Sequence, residues 1–303
     1  MVNPKSELYE THPDWVLHAP KRTRTEQRQQ LVLNLALTEV QDYLIKSLSD
    51  ILSSANVEYI KWDNNRSMHE LSHPSVAHKY MFGLYRVLST LTTRYPKVLW
   101  EGCASGGGRF DAGILAYFPQ TWTSDNTDGL ERIFTQFGTS LAYPPSSMGC
   151  HVAAVPNHQM HRTTPLEFRA HVAMMGGSFG FELDLGSIST EERAAIPSIV
   201  ELSEKVNPYV IHGDLYRLQL PEESNWPAAF YIDPRSGNGV LLAYQIRSTI
   251  KEVLPPLRLR GLDESARYEV GGKQWSGVSL MKSGLKLLWE GDYQSKCIFV
   301  TKL

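Results

Sequence analysis

The chain has 303 residues, 42% of them hydrophobic and 20% charged, with a formal net charge of -2. That length allows one large domain or two ordinary ones, and the composition is that of a soluble globular protein with a sizeable core. The near-neutral charge, the three scattered cysteines and the lack of any apolar run approaching about 18 residues exclude a nucleic-acid footprint, a disulfide framework and a membrane-spanning helix.

The first 15 residues, MVNPKSELYETHPDW, read as a polar loop without the apolar core of a signal peptide, as if the chain began mid-fold. KRTRTEQR is the densest basic stretch and is too short to be more than a solvated loop with an arginine to spare. Six strand-like runs follow, at 31–37, 57–62, 97–102, 120–125, 140–146 and 178–185, separated by stretches of helical texture. In the stretch 38–55, Val40, Tyr43, Leu44, Leu48 and Leu52 recur at helical spacing. A helix is expected at 190–206, capped by Ser189 with Glu192 completing a capping box and Pro197 inside it. Strands alternating with helices predict a parallel sheet of βαβ units. Polar and glycine-rich stretches fall just after the strands, where both a TIM barrel and a doubly wound sheet place their sites. After NPYVIHGD the texture changes to short segments broken by Pro, Gly, Asn and Asp, which predicts an antiparallel all-β region, read as a small sandwich. The expected organisation is therefore 1–213 and 214–303, with the boundary at Gly213.

Two stretches carry the clearest chemistry. KWDNNR ends one strand at Asp63, and WTSDNTD ends another at Asp125 with Asp128 behind it; each has a tryptophan upstream, Trp62 and Trp122. Taken singly, each aspartate reads as a cap for the next helix. Taken together, two carboxylates beside aromatic surface are what glycoside hydrolysis needs, one to attack or activate water and one to protonate the leaving oxygen. GCASGGGRFDAG fits neither nucleotide-binding glycine pattern and instead lets backbone approach a ligand, with Cys103 either packed or walling a pocket. HELSH at 69–73 matches the zinc-protease pattern, but Pro74 pushes His73 out of the helical region, and the histidines of HVAAVPNHQMH read as a loop at the mouth of the sheet rather than a metal site. YPPSSMG reads as a rigid turn at a strand end.

YIKWDNNR, CASGGGRFDAG, WTSDNTDGLERI, GTSLAYPPSSMGCHVAAVPNH and HVAMMGGSFGFELDL resemble the retaining α-galactosidases of glycoside hydrolase family 36. The similarity runs through nearly the whole chain and is nearest to the fungal branch in RLQLPEESNWPAA. The resemblance implies an incomplete (β/α)8 TIM barrel, with about six of the eight strands, followed by the antiparallel C-terminal domain. It implies hydrolysis of terminal α-linked galactose from melibiose- or raffinose-type sugars, with Asp63 as nucleophile and Asp125 as acid/base. Lys61 and Asn65 match positions that contact the galactosyl unit; Cys103 and Gly106, in a CxxGxGR motif completed by Gly108 and Arg109, match a wall near the 2-hydroxyl; Arg28 matches a further sugar contact. No metal or organic cofactor is implied. The partner expected is a galactoside, with neither nucleic acid nor membrane, and with self-association into a homo-oligomer left open. Retention places the two carboxyls about 5–5.5 Å apart, with Asp63 ionised, Lys61 and Arg28 favouring that charge, and Asp125 protonated for the first step.

Departures are Asn64, where methionine is more usual, and Asn34, where aspartate is common. Members of the family are much longer, so the expectation is that an N-terminal sandwich and the first two barrel strands lie outside this chain, leaving it weakly active and aggregation-prone by itself. Three rival readings stand beside the hydrolase: an inactive or merely sugar-binding remnant, a zinc peptidase on HELSH, and a galactosyl transferase of the same clan.

Overall fold

The computed structural model describes residues 1–250 and 254–303. They divide into two compact units, Met1–Trp122 and Thr123–Leu303.

The first unit contains α1 (Glu7–Thr11), α2 (Thr38–Ser54), β1 (Tyr59–Asp63), α3 (Pro74–Arg94), β2 (Leu99–Cys103) and β3 (Gln120–Trp122). α3 starts where its sequence dictates: His73 stays extended and its ring accepts from the Ser75 amide, and Pro74 brings a preset φ to the first turn. Leu84, Val87, Leu88 and Leu91 on its inner face are wholly buried, each contributing about 1.5–3 kcal/mol. The strands are parallel. Lys61 pairs with Glu101, Asp63 with Cys103, and Glu101 with Gln120. Side chains alternate across a strand, so Tyr59, Lys61 and Asp63 share one face with Glu101, Cys103, Gln120 and Trp122. Ile60 and Trp62 take the other face and pack into the helical layer.

The second unit begins with α4 (Gly129–Ser140), β4 (Met148–Ala153), α5 (Leu166–Ala173), β5 (Ser178–Glu182) and α6 (Thr190–His212). β4 and β5 are parallel, Cys150 opposite Phe179. Then come β6 (Asp214–Gln219), β7 (Ala228–Ile232), β8 (Gly239–Gln245), β9 (Arg267–Val270), β10 (Lys273–Ser276), α7 (Gly277–Lys282) and β11 (Gln294–Lys302). These six strands form an antiparallel sheet in the order β10-β9-β11-β8-β7-β6. Its strands β7 and β8 are buried on both faces, and alternate residues separate the two sides. Ala229, Tyr231, Val240, Leu242 and Tyr244 join the cluster that holds Phe168, Val206 and Val210 of α5 and α6. Ala228, Phe230, Leu241 and Ala243 face the other way, against Leu257, Leu259, Leu280 and Leu285, which supply the second layer.

Two strand expectations need correction. The run 31–37 makes only isolated antiparallel bridges, Val2 to Leu31 and Val16 to Leu33; Asn34 turns the backbone there, its side chain accepting from the Ala36 amide at 3.1 Å. The run 140–146 is the end of α4, a turn and the 3₁₀ helix Pro145–Ser147, and the strand lies later, at Met148–Ala153. Prolines cannot donate to a ladder, whereas Met148, Cys150 and Val152 alternate and are wholly buried. His151, expected in a loop, therefore sits inside β4. α6 is longer than expected and runs through Pro197 and Pro208. Ser189 caps it as read, accepting from the Glu192 amide at 3.1 Å, while the Glu192 carboxylate pairs with Arg169 Nη2 at 2.5 Å.

Candidate functional site

In the first unit the C-terminal ends of β1 and β2 gather most of the residues singled out from sequence. Asp63 ends β1 and is exposed; the next helix starts only at Pro74, so capping is not its task. Asn65 Nδ2 donates to Asp63 Oδ2 at 2.5 Å. The Cys103 thiol lies opposite Asp63 in register, beside the same carboxylate. Burial, then the negative charge of Asp63, pushes that thiol up to about 11, so Cys103 remains a neutral donor and not a nucleophile.

The glycine loop that follows β2 is a cradle for this pair. Ala104 N donates to Gly106 O at 2.8 Å and Gly108 N to Ala104 O at 3.2 Å. Gly106 has a φ of 85°, which a side chain would resist. A Cβ on Gly108 would meet the Ala104 carbonyl oxygen at 2.6 Å. Arg109, at the end of the loop, donates through Nη2 to the carbonyls of Trp62 and Cys103, both at 2.9 Å. One guanidinium thus ties together the ends of both strands immediately beside Asp63 and Cys103.

One row deeper, Lys61 Nζ lies 3.3 Å from Glu101 Oε1 and 4.9 Å from the centre of the Trp122 ring. The sequence reading put Lys61 beside Asp63 and did not anticipate Glu101. The available signal was a carboxylate inside WEGC, a strand otherwise without charge. Trp62 is partly buried and packs against the core, its ring 6.2 Å from Trp100 and 6.4 Å from Phe118. Arg28 occupies the tip of an exposed 27–30 turn, with φ of 51°, and makes no hydrogen bond or ion pair with the Asp63 cluster. Its neighbour Gln27 lines a cleft of about 170 Å³ together with Asn64, Asn65, Ser105 and Arg109. A second cleft, of about 430 Å³, is lined by Leu48, Ile60, Lys61, Trp62 and Asp63, and shares Asn64, Tyr80 and Arg109 with the first.

Asp125 belongs to the second unit. The loop 124–128 that carries it is locked at almost every other residue. Ser124 Oγ accepts from Asn126 N, Asn126 Oδ1 from Asp128 N, and Asp128 Oδ1 from the amides of Leu130 and Glu131. Asp128 is therefore the cap of α4, a task that the sequence assigns to Asp125 when each aspartate is taken singly, and Arg162 pairs with it. The buried Arg132 donates to Ser124 O at 3.1 Å and Gly149 O at 2.8 Å, and Asn157 Nδ2 donates to Thr127 Oγ1 at 3.1 Å. Asp125, half-buried, is carried by this frame without taking part in the capping. The tasks of Arg132, Asn157 and Arg162 were not legible beforehand, because each depends on which backbone oxygen or side chain the folded loop brings within reach.

HELSH does not form one helical face: His69 precedes α3 and His73 is its N-cap, while Glu70 pairs with Arg66 and accepts from the Thr25 amide.

The chain is similar to known proteins over all of its length. A family model described as Melibiase matches residues 1–213, and one described as the glycosyl hydrolase family 36 C-terminal domain matches residues 226–300. The chain is 58% identical over 303 residues to alpha-galactosidase C of Emericella nidulans, covering 100% of this chain and 40% of that protein. The identity to alpha-galactosidase 2 of Hypocrea jecorina is also 58%, covering 100% and 41%. Among solved structures, alpha-galactosidase AgaA from Geobacillus stearothermophilus, in a variant complexed with raffinose, superposes with a TM-score of 0.95 at 42% identity, covering 100% of this chain and 43% of that one. AgaB from the same organism gives 0.95 at 43% identity, covering 100% and 43%. The expected fold class, a partial TIM barrel with a C-terminal antiparallel domain, agrees with these likenesses. The chain spans about 40% of the length of the curated relatives it matches.

Proposed function

The chain belongs to the melibiase family, glycoside hydrolase family 36, and from that membership we propose that it hydrolyses terminal α-D-galactosyl residues of galacto-oligosaccharides such as melibiose and raffinose, with retention at the anomeric carbon. The observation that carries the proposal is Asp63 at the C-terminal end of β1, held by Asn65, opposite Cys103 in register and two residues beyond Lys61. Its matched relatives are named as alpha-galactosidases, and one of them was crystallised with raffinose.

In this mechanism Asp63 attacks the anomeric carbon while Asp125 gives its proton to the leaving oxygen; Asp125 then takes a proton from the water that releases galactose. Asn65 donates to Asp63 and sets the carboxylate's orientation in the free protein. Lys61, Asn65, Cys103 and Gly106 bind the galactosyl unit, and Arg28 reaches it from the turn beside Gln27. The catalytic portion is proposed to be 1–213 and the all-β portion 214–303, a boundary supported by α6 ending at His212 with Gly213 as its cap. An assembly of like copies belongs to the same proposal; exposed Ile51 and Phe82 offer apolar surface for it, and sedimentation equilibrium measures it.

The test is to follow an aryl α-galactoside by proton NMR with the purified chain. Galactose appearing first as the α-anomer supports the proposal. First appearance of the β-anomer sinks retention, and no turnover sinks the activity.

A further inference from the structure

We propose that Glu101 is a positioning residue: it holds the Lys61 ammonium in place for the sugar, acting through Lys61 and touching no substrate itself. The inference rests on the function proposed above and extends it to a residue outside the motifs.

Glu101 sits on the middle strand of the three in its unit, and its side chain is 1% exposed. A buried carboxylate is costly unless it is well partnered, and an apolar residue would serve packing alone at less expense. Its partners come from both neighbouring strands, and they are divided between its two oxygens. The Tyr59 hydroxyl and Gln120 Nε2, the latter at 2.8 Å, both donate to Oε2. Oε1 is buried and accepts no hydrogen bond. The group that faces it is Lys61 Nζ, at ion-pair distance, 3.3 Å. Two neutral donors thus fix the plane of the carboxylate and aim the remaining oxygen at the lysine. The Trp122 ring, 4.9 Å from Nζ, supplies a second attraction.

A lysine is a point charge on a flexible stem with three donors. Anchored by Glu101 and Trp122, the Lys61 side chain keeps 36% of its surface exposed, on the face that carries Asp63 two residues along β1. The ammonium can then meet sugar hydroxyls without first being ordered by them, which is how a preorganised group raises transition-state binding.

The experiment is a double-mutant cycle on the full chain with an aryl α-galactoside, using Glu101→Gln, Lys61→Met and both together. Glu101→Gln keeps the shape of the side chain and an acceptor for Tyr59, and circular dichroism checks that it folds. We expect kcat/KM to fall by about ten- to a hundredfold in Glu101→Gln, and the double variant to be no worse than Lys61→Met alone, because the effect passes through Lys61. Losses that multiply would overturn the proposal, since a merely structural carboxylate would harm the Lys61→Met protein equally. In parallel, the side-chain order parameter of Lys61 is measured by NMR on lysine-labelled chain. It falls in Glu101→Gln if Glu101 holds the ammonium, and an unchanged value rejects the proposal. Should the unsubstituted chain show no turnover, the proposed function fails by itself, and the order parameter alone judges Glu101.

Discussion

Three aspartates with similar neighbours have different tasks, and local bonding separates them. Asp128 accepts from two helix amides and is a cap. Asp63 lies 11 residues ahead of the next helix and accepts from the Asn65 side chain. Asp125 lies on a braced loop ahead of the capping residue. The roles proposed for Asp63 and Asp125 make opposite stereochemical predictions. With Asp63→Ala, azide displaces the leaving group directly from the far face, so an activated α-galactoside yields β-galactosyl azide. With Asp125→Ala the galactosyl-enzyme still forms from an activated substrate, and azide, which needs no general base, yields α-galactosyl azide. NMR of the products distinguishes the two. The same anomer from both variants contradicts the assignment.

Elements are held at their functional ends by residues the motifs only hint at. Arg109 binds the last carbonyls of two strands at once. Arg109→Ala orphans them, and we expect it to destabilise the chain by about 1–3 kcal/mol, read as a lowered urea midpoint; an unchanged midpoint would mean that water replaces the guanidinium. For α4, Asp128→Ala removes a cap worth about 1 kcal/mol and also strips Arg162 of its buried partner. Asp128→Asn keeps the capping oxygen and loses only the charge, so its melting temperature should lie between those of Asp128→Ala and the unsubstituted chain. Equal losses in the two variants would place the whole effect in the ion pair.

On the scale of the whole molecule, one buried base sets an acid limit on the second unit. Burial lowers His171 of α5 from its ordinary 6.5 to about 4; the ring bonds to Ser295 Oγ of β11 at 2.8 Å, and the His171 carbonyl accepts from Tyr244. Being neutral when folded, His171 favours the unfolded chain wherever that chain alone is protonated. Its contribution is intact above the ordinary 6.5 and is lost as pH falls from there towards 4, a change on the order of 3 kcal/mol. Urea midpoints across that range should fall for the unsubstituted chain and stay flatter for His171→Gln; parallel slopes would assign the acid loss elsewhere.

The sequence alone carried the alternation of strand and helix, the change from βαβ texture to antiparallel sheet, α2 almost to the residue, the Ser189 cap, and two short motifs, one with Lys61, Asp63 and Asn65 and the other with Cys103 and Gly106. These rest on local signals, namely the period of apolar residues, a proline or serine at a helix start, and short motifs whose members are neighbours in the chain. The tertiary structure decided the rest. It moved a strand from 140–146 to Met148–Ala153, reduced 31–37 to single bridges, packed Trp62 partly against the core and chose Asp128 as the cap. It also brought Glu101 to Lys61 from the neighbouring strand. Such pairings depend on sheet register and on the fate of each buried polar atom, and both are settled only when distant strands lie side by side.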